Sequence, residues 1–330
     1  MKVSVIVPVR DEEDSIRELL DSLVAQTRPP DEIVITDGGS VDATPQIIEE
    51  YKQRGLPVHL IRAGAALPGR GRNLGAEQAR FEWLAFTDSG IRLEKNWLEA
   101  LVARASEDES IDIVYGHLEP VTDTFFTECA AIAYVPPPEL QEDVVSRPRF
   151  IASSLLRREA WAKVKGFPEN LRSAEDLIFM NRLDKAGYRA VFEPRSRVFW
   201  RLRPTLKSTF KRFLVYSLNN IRAGLFNQWQ AKILFRYAAL LVVLVALLIF
   251  DPRLSWVAFA LWALMLIARA TLSIWRNRKC YPGSFVRNMR RALMVIAILV
   301  VLDSAAIIGS LQWLLLDAFR ESRKTPVEAG

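Results

Sequence analysis

The sequence predicts an α/β domain with a mostly parallel central sheet, followed by C-terminal transmembrane helices. Short β-rich runs alternate with helical patterns in the first half of the chain. Polar, glycine-containing segments follow one strand after another, and from about Ala231 onward long apolar stretches dominate. At 330 residues the chain is too long for one ordinary core, which favours at least two units.

Val3–Val7, Glu32–Thr36, Val58–Ile61, Trp83–Phe86 and Asp112–His117 read as strands. Glu12–Ala25, Thr44–Arg54, Arg70–Ala79 and Glu94–Ala105 read as helices, with apolar residues three and four apart. This alternation argues for parallel strands with helices on both faces. Further on, Phe150–Arg157 reads as a strand and Gly166-Phe167-Pro168 as a loop. Ser173-Ala174-Glu175-Asp176 then opens an amphipathic helix carrying Leu177, Met180 and Leu183.

The C-terminal part is a different material. AALLVVLVALLIF starts at Ala238, LSWVAFALWALMLIARATLSIW at Leu254, and ALMVIAILVVLDSAAIIGSLQWLLL at Ala292. Each is roughly the 20 residues needed to cross a bilayer, and polar faces are nearly absent, unlike buried helices of a soluble protein. Lys207, Lys211, Arg212, Lys232 and Arg236 precede the first run, and Arg276, Arg278, Lys279, Arg287, Arg290 and Arg291 fill the loop before the third. Excess basic residues mark cytoplasmic segments. The expectation is a multi-pass protein of the cell (inner) membrane with its N-terminal domain cytoplasmic; the absence of a signal-peptide pattern and two distant cysteines agree with this. A third full span would place Arg320, Arg323 and Lys324 outside, and Asp303 is costly in lipid unless it faces other helices. The third segment therefore reads either as a full span or as a re-entrant or interfacial one.

Ligands of open parallel sheets sit beyond the carboxyl ends of the strands. Pro8-Val9-Arg10-Asp11-Glu12-Glu13 follows the first strand and Asp37-Gly38-Gly39-Ser40-Val41-Asp42 the second. Pro68-Gly69-Arg70-Gly71-Arg72-Asn73 lies beyond the third, and Thr87-Asp88-Ser89-Gly90 follows the fourth. Any one of these is ordinary turn chemistry; four in register describe a site.

VSVIVPVRDEEDSI, EIVITDGGSVDAT, GRGRNLGAEQA, WLAFTDSGIRL and SAEDLIFMNRLDKAG resemble, in order and spacing, the motifs of family 2 inverting glycosyltransferases. The resemblance runs from about Lys2 to Gly224. It implies a GT-A-type nucleotide-sugar-binding domain. By it, Pro8 and Val9 border the nucleotide base with Glu12 nearby, and Asp37 accepts a hydrogen bond from the imide N–H of a uracil-like base. Arg72 faces the nucleotide or its diphosphate, since a guanidinium matches phosphate geometry and stays charged. Asp88 takes the first position of the family's Asp-X-Asp motif and helps hold Mg²⁺ or Mn²⁺ on the diphosphate, but Gly90 stands where the second aspartate is usual. Glu175 and Asp176 resemble the family's Glu-Asp pair, with Asp176 the catalytic base and Glu175 on the acceptor side. Without the family context, acidic residues in a first helical turn would be explained by the helix dipole.

The resemblance implies a nucleotide-sugar donor, a UDP-sugar by preference, and a lipid-linked or cell-envelope glycan acceptor; the expected partners also include membrane lipids around the helices and no nucleic acid. No Gln-x-x-Arg-Trp motif follows Asp176 and the apolar runs are too few for a polysaccharide channel, so transfer is expected to be non-processive. Two alternatives stay open: transfer directly to a polyprenyl phosphate, and a non-catalytic membrane protein that binds sugar nucleotides. The expected organisation is a catalytic domain over 1–204, an amphipathic interfacial helix or linker over 205–231, a transmembrane region over 232–316 (about 233–250, 254–275 and 292–316) and a polar tail over 317–330. The stretch from Leu118 to Arg149, with Pro136-Pro137-Pro138, reads as an irregular, flexible part of the acceptor site. His59 and His117 read as structural.

Overall fold

The computed structural model describes residues 1–136, 139–141, 144–146 and 149–318. Pro137, Pro138 and the tail from 319 onward lie outside the described residues. The chain divides into two compact units, one from Met1–Val121 with Pro138–Arg201, the other from Thr122–Pro137 with Leu202–Gly330.

The first unit opens with β1 (Val3–Val9), α1 (Ile16–Val24), β2 (Glu32–Asp37), α2 (Thr44–Gln53), β3 (Val58–Arg62), α3 (Pro68–Gln78) and β4 (Trp83–Phe86). It continues with β5 (Ile91–Leu93), α4 (Trp97–Ser106) and β6 (Ile113–Val121). After α5 (Phe125–Tyr134), which belongs to the other unit, come β7 (Glu139–Gln141), β8 (Val144–Ser146), β9 (Ser154–Arg157), α6 (Arg158–Lys163), α7 (Glu175–Lys185) and β10 (Ala190–Arg201). Eight strands form one sheet in the order β3-β2-β1-β4-β9-β6-β10-β5, and β7 pairs with β8. β1 runs parallel to β2 and β4, β2 to β3, and β6 to β10. Within the eight-stranded sheet only the pairings of β9 with β4 and β6, and of β5 with β10, are antiparallel.

The central parallel strands β1, β2 and β4 are buried on both faces, which is why they read as near-continuous apolar runs; every residue of β2 is buried. One face packs Leu19, Leu20 and Leu23 of α1 with Trp97 and Leu101 of α4, and the other packs Phe167, Phe179, Met180 and Leu183. Two expectations change. Phe150–Arg157 is not one strand: a 3-10 turn at Ile151–Ser153 precedes β9, and the Trp97 indole donates to Ser153 Oγ at 3.0 Å there. The stretch after β6 is not wholly irregular, because α5 starts on a reciprocal cap between Thr124 and Thr127.

The second unit contains α5, α8 (Leu206–Arg222), α9 (Phe226–Trp229), α10 (Ala231–Phe250), α11 (Ser255–Arg276) and α12 (Phe285–Gln312). Three helical stretches, Ala231–Phe250, Pro252–Arg276 and Phe285–Leu316, are long and apolar enough to cross a membrane. The third begins earlier than the apolar run and offers no break on which a re-entrant segment would turn: the 28 residues of α12 are unbroken. At 1.5 Å per residue they extend about 42 Å, against roughly 30 Å of hydrocarbon. Asp303 is buried and paired, as an acidic residue among apolar helices must be. It accepts from Tyr237 Oη of α10 at 2.9 Å and from Arg269 of α11 at 3.0 Å. α8 spends its buried face on α12, where Ser217 Oγ donates to the Ala306 carbonyl at 3.1 Å.

Candidate active site

The carboxyl ends of β1, β2 and β4 and the N-terminal halves of α3 and α7 supply the site. α3 lies close against β1 because its glycines allow it. A Cβ on Gly71 would stand 3.1 Å from Pro8 Cβ, and one on Gly69 would stand 2.0 Å from the Pro168 carbonyl oxygen, so no larger residue fits there. Asn73 fixes the other side of α3. Its amide donates to the Phe167 carbonyl and to Glu169, both at 2.9 Å, and its oxygen accepts from Phe167 N–H at 2.9 Å.

This packing carries Arg72 into the interior. Its guanidinium donates to Asp88 Oδ1 and to Glu175 Oε1, each at 2.7 Å, and lies 5.4 Å from the centre of the Phe167 ring. The two acids come from opposite ends of the unit's sequence, Asp88 after β4 and Glu175 at the start of α7. Burial works against the charge of Arg72, but Asp88, Glu175 and Asp176 outweigh it and hold the guanidinium above its usual range. Arg72 Nε and Glu175 Oε2 are nonetheless buried without a hydrogen-bond partner among the described residues.

Asp176 adjoins this group. Burial first, and the Glu175 charge next, push its carboxyl up to about 6, against the pull of Arg72 and of the Leu177 N–H that it accepts at 2.9 Å. The turn that aims the pair is unusual: Ala174, immediately before α7, is left-handed with φ 70°. A non-glycine residue there costs roughly 1–2 kcal/mol.

The β1–β2 end of the site is built by reciprocal bonds between two loops. Asp11 N–H donates to Ser40 Oγ and Val41 N–H to Asp11 Oδ1, both at 2.9 Å. Glu13 N–H donates to Asp42 at 3.1 Å and Ala43 N–H to Glu13 at 2.9 Å. Asp37, buried, accepts from Ser40 N–H at 2.9 Å through Oδ1 and faces the exposed Arg62 at 4.0 Å through Oδ2. Val9 is buried and its carbonyl accepts from Gly38 N–H at 2.9 Å, joining the ends of β1 and β2 beside Pro8. Glu12 turns elsewhere: its carboxylate accepts from Ser15 at the start of α1.

Thus Arg72, Asp88, Glu175 and Asp176 form one cluster, and Pro8, Val9 and Asp37 gather at the β1–β2 ends. Among the described residues no group of three His, Cys, Asp or Glu side chains could hold a metal ion. Asp88, a third exposed and with Oδ1 taken by Arg72, would offer a cation a single protein ligand. That fits a cation arriving on a diphosphate, whose oxygens and waters complete the shell, rather than a preformed metal centre. Phe167, Asn73 and Ala174 were not picked out as functional from sequence. The small-residue runs around Gly69 and Gly71 signalled close packing of α3, but nothing local signalled the left-handed Ala174.

Residues 4–146 match the model of the family described as Glycosyl transferase family 2. Over 189 residues the chain is 32% identical to the poly(ribitol-phosphate) beta-N-acetylglucosaminyltransferase TarS of Staphylococcus aureus, covering 54% of this chain and 32% of that protein. The chain thus spans about a third of the length of that curated relative. A crystal structure of S. aureus TarS 1-349 in complex with UDP-GlcNAc superposes with a TM-score of 0.51 at 20% identity, covering 96% of this chain and 92% of that one. The mannosyltransferase PcManGT from Pyrobaculum calidifontis, in complex with GDP-Man and Mn2+, gives 0.55 at 18% identity, covering 95% and 87%. At these identities the superpositions establish the fold.

Proposed function

Because the chain carries a family 2 glycosyltransferase domain on the GT-A fold, we propose that it is a membrane-bound inverting glycosyltransferase that moves a sugar from a nucleotide donor to a lipid-linked or cell-envelope glycan acceptor, one or a few at a time. The observation that carries this reading is Arg72 held between Asp88 and Glu175 with Asp176 adjoining. A UDP-sugar is the favoured donor, supported by the UDP-GlcNAc in the TarS complex. The acceptor class draws on the polymer named for the same relative, and membrane attachment on the three long apolar helices.

The chemistry follows from the charges. One guanidinium faces three carboxylates when Asp176 is ionised, so a bare diphosphate would be repelled. Asp88 would hold a Mg²⁺ or Mn²⁺ carried on the donor diphosphate, whose charge would offset that repulsion. When bound, the cation offsets negative charge on the leaving nucleoside diphosphate. Arg72, fixed from both sides, supplies a preplaced positive charge. Asp176, with its carboxyl near 6, is largely ionised at neutral pH yet basic enough to take a proton, the compromise that general-base catalysis favours. It removes the proton of an acceptor hydroxyl about 3 Å away as that oxygen attacks the anomeric carbon. The diphosphate leaves from the opposite face, which inverts the configuration, and no covalent enzyme intermediate is needed.

The test is nucleoside diphosphate release by the purified full chain in native-lipid extract, with UDP-, GDP- and dTDP-sugars, for wild type and Asp176→Asn. Lipid-dependent release from one donor, lost in the variant, is the expected result. Donor binding without turnover in every combination would sink the enzyme reading, and full activity of Asp176→Asn would favour transfer to a phosphate oxygen, which needs no base.

A further inference from the structure

A second charged group lies wholly within the helical unit. Glu128 of α5 accepts from Arg287 at 2.6 Å and from the buried Arg291, both on α12. The remaining donors of Arg291 are taken by the Tyr281 carbonyl at 2.9 Å, Asn288 Oδ1 at 2.8 Å and the Pro282 carbonyl at 3.3 Å. Arg291 is therefore a fastener of α5 to the start of α12. Arg290 is placed differently. It is exposed, and the contact it makes is to the Phe125 ring, 5.6 Å from its centre.

Arg290, Arg287, Phe125, Ser284 and Val286 line a cavity of about 300 Å³. Arg287 and Arg291 pair with Glu128 and Arg290 lies over Phe125, so these three arginines and one carboxylate leave an excess of two positive charges. Beside it, Phe285, Met289 and Leu293 stand four residues apart on α12 and are exposed by 79%, 56% and 72%, an apolar stripe that leads from the cavity along the helix. The two features together match an amphiphile with a negatively charged head.

We infer that this cavity binds the phosphate headgroup of an anionic glycerophospholipid, with Arg290 and Arg287 at the phosphate and the acyl chains along Phe285, Met289 and Leu293. This rests on the reading that α10–α12 sit in a bilayer. It adds to that reading a defined lipid site, at the mouth of the third apolar helix, in place of general contact with lipid. Arginines near an anionic membrane surface each strengthen binding about fivefold, and a guanidinium meets phosphate oxygens in a fixed, forked geometry. Glu128 keeps Arg287 from swinging away, and Phe125 holds the guanidinium of Arg290 over its ring.

The test is native mass spectrometry of the detergent-purified full chain, titrated with phosphatidylglycerol and phosphatidylcholine. Wild type is expected to retain phosphatidylglycerol at least about fivefold better. Arg290→Gln should bring the two lipids close to parity, Arg290→Lys should keep most of the preference, and Val286→Glu should abolish it by placing a carboxylate in the cavity. Arg253→Gln, on the exposed turn between α10 and α11, should change nothing. Equal retention of both lipids by wild type, or an undiminished preference in both Arg290→Gln and Val286→Glu, overturns the inference. Displacement of the lipid by inorganic phosphate alone would overturn it too, since the site would then take the free ion. A chain that partitions into the soluble fraction without detergent removes the membrane reading as well, whereas a detergent-requiring chain that fails to discriminate removes only this site.

Discussion

Arg72 in the α/β unit and Arg291 in the helical unit are both buried arginines bound to glutamates, yet their surroundings are opposite. Every donor nitrogen of Arg291 has an acceptor, and the charge around it is positive in excess. Around Arg72 the charge is negative in excess, and Arg72 Nε and Glu175 Oε2 lack partners. A buried polar atom without a partner costs about 1–3 kcal/mol, so a cluster that keeps two such atoms is not optimised for the resting state. The contrast separates a fastening from a receptor: one arginine is satisfied by its own chain, the other is held beside the proposed base Asp176, whose ionisation burial and Glu175 oppose.

Exchanging the two roles gives the largest effects. Asp176→Asn should lower turnover roughly 10²–10⁴-fold while leaving donor binding within a few-fold, read from nucleoside diphosphate release and donor titration. Arg291→Ala should destabilise the protein by about 1–3 kcal/mol, because it removes the buried partner of Glu128 and leaves that carboxylate only the exposed Arg287 among the described residues; thermal unfolding in detergent reads this. If Arg291→Ala instead left the melting temperature alone and Arg72→Lys did not affect turnover, the distinction between the clusters would collapse.

The pH dependence sharpens the same contrast. Burial, then Glu175, raises the Asp176 carboxyl from 3.8 to about 6. The native state therefore holds this proton more tightly than the unfolded chain. Stability from this group is fully present below about 4 and is lost as pH rises through about 6. Turnover runs the other way, falling about tenfold per pH unit below 6 as the base is protonated. Wild type should thus melt higher at pH 5 than at pH 7 relative to Asp176→Asn, and lose activity over that interval. Parallel melting curves for the two proteins would show that Asp176 titrates normally.

How much of this was visible in the residues follows the range of the interactions involved. β1 to β4 and the helices between them were legible because their apolar periodicity is set by burial against immediate neighbours. β10 was not: AVFEPRSRVFWR carries a proline and three arginines, and its pairing with β6 shifts register between Glu193 and Arg197. α5 was hidden because a ten-residue, mostly apolar run beside a proline run signals neither a span nor an amphipathic surface helix. At the site, Arg72, Asp88, Glu175 and Asp176 could be nominated one by one from their positions after strands and at a helix start. That a single guanidinium bridges residues 88 and 175 could not, since α7 reaches it only through the folded sheet.

Gly90 gives the next smaller effect. A Cβ there meets nothing within 4 Å and its backbone is not left-handed, so Gly90→Asp should fold normally. If Asp88 holds the donor's cation alone, the added carboxylate should tighten Mn²⁺ activation roughly tenfold by raising the ligand charge. A Mn²⁺ titration of turnover with unchanged half-saturation would place Gly90 away from the diphosphate.

The smallest effect tests the turn that aims the base. Ala174 stands at φ 70° immediately before Glu175 and Asp176. Glycine adopts that conformation freely, so Ala174→Gly should stabilise the native state by about 1 kcal/mol, less the entropy that glycine adds to the unfolded chain. The same freedom loosens the first turn of α7, and a small misplacement of the base is costly when two substrates must be aligned. Turnover should therefore fall a few-fold while the melting temperature holds or rises. A fall in both would mean that the turn is maintained by contacts of the Ala174 methyl group, and that the strain assigned to it does not bear on how Asp176 is positioned.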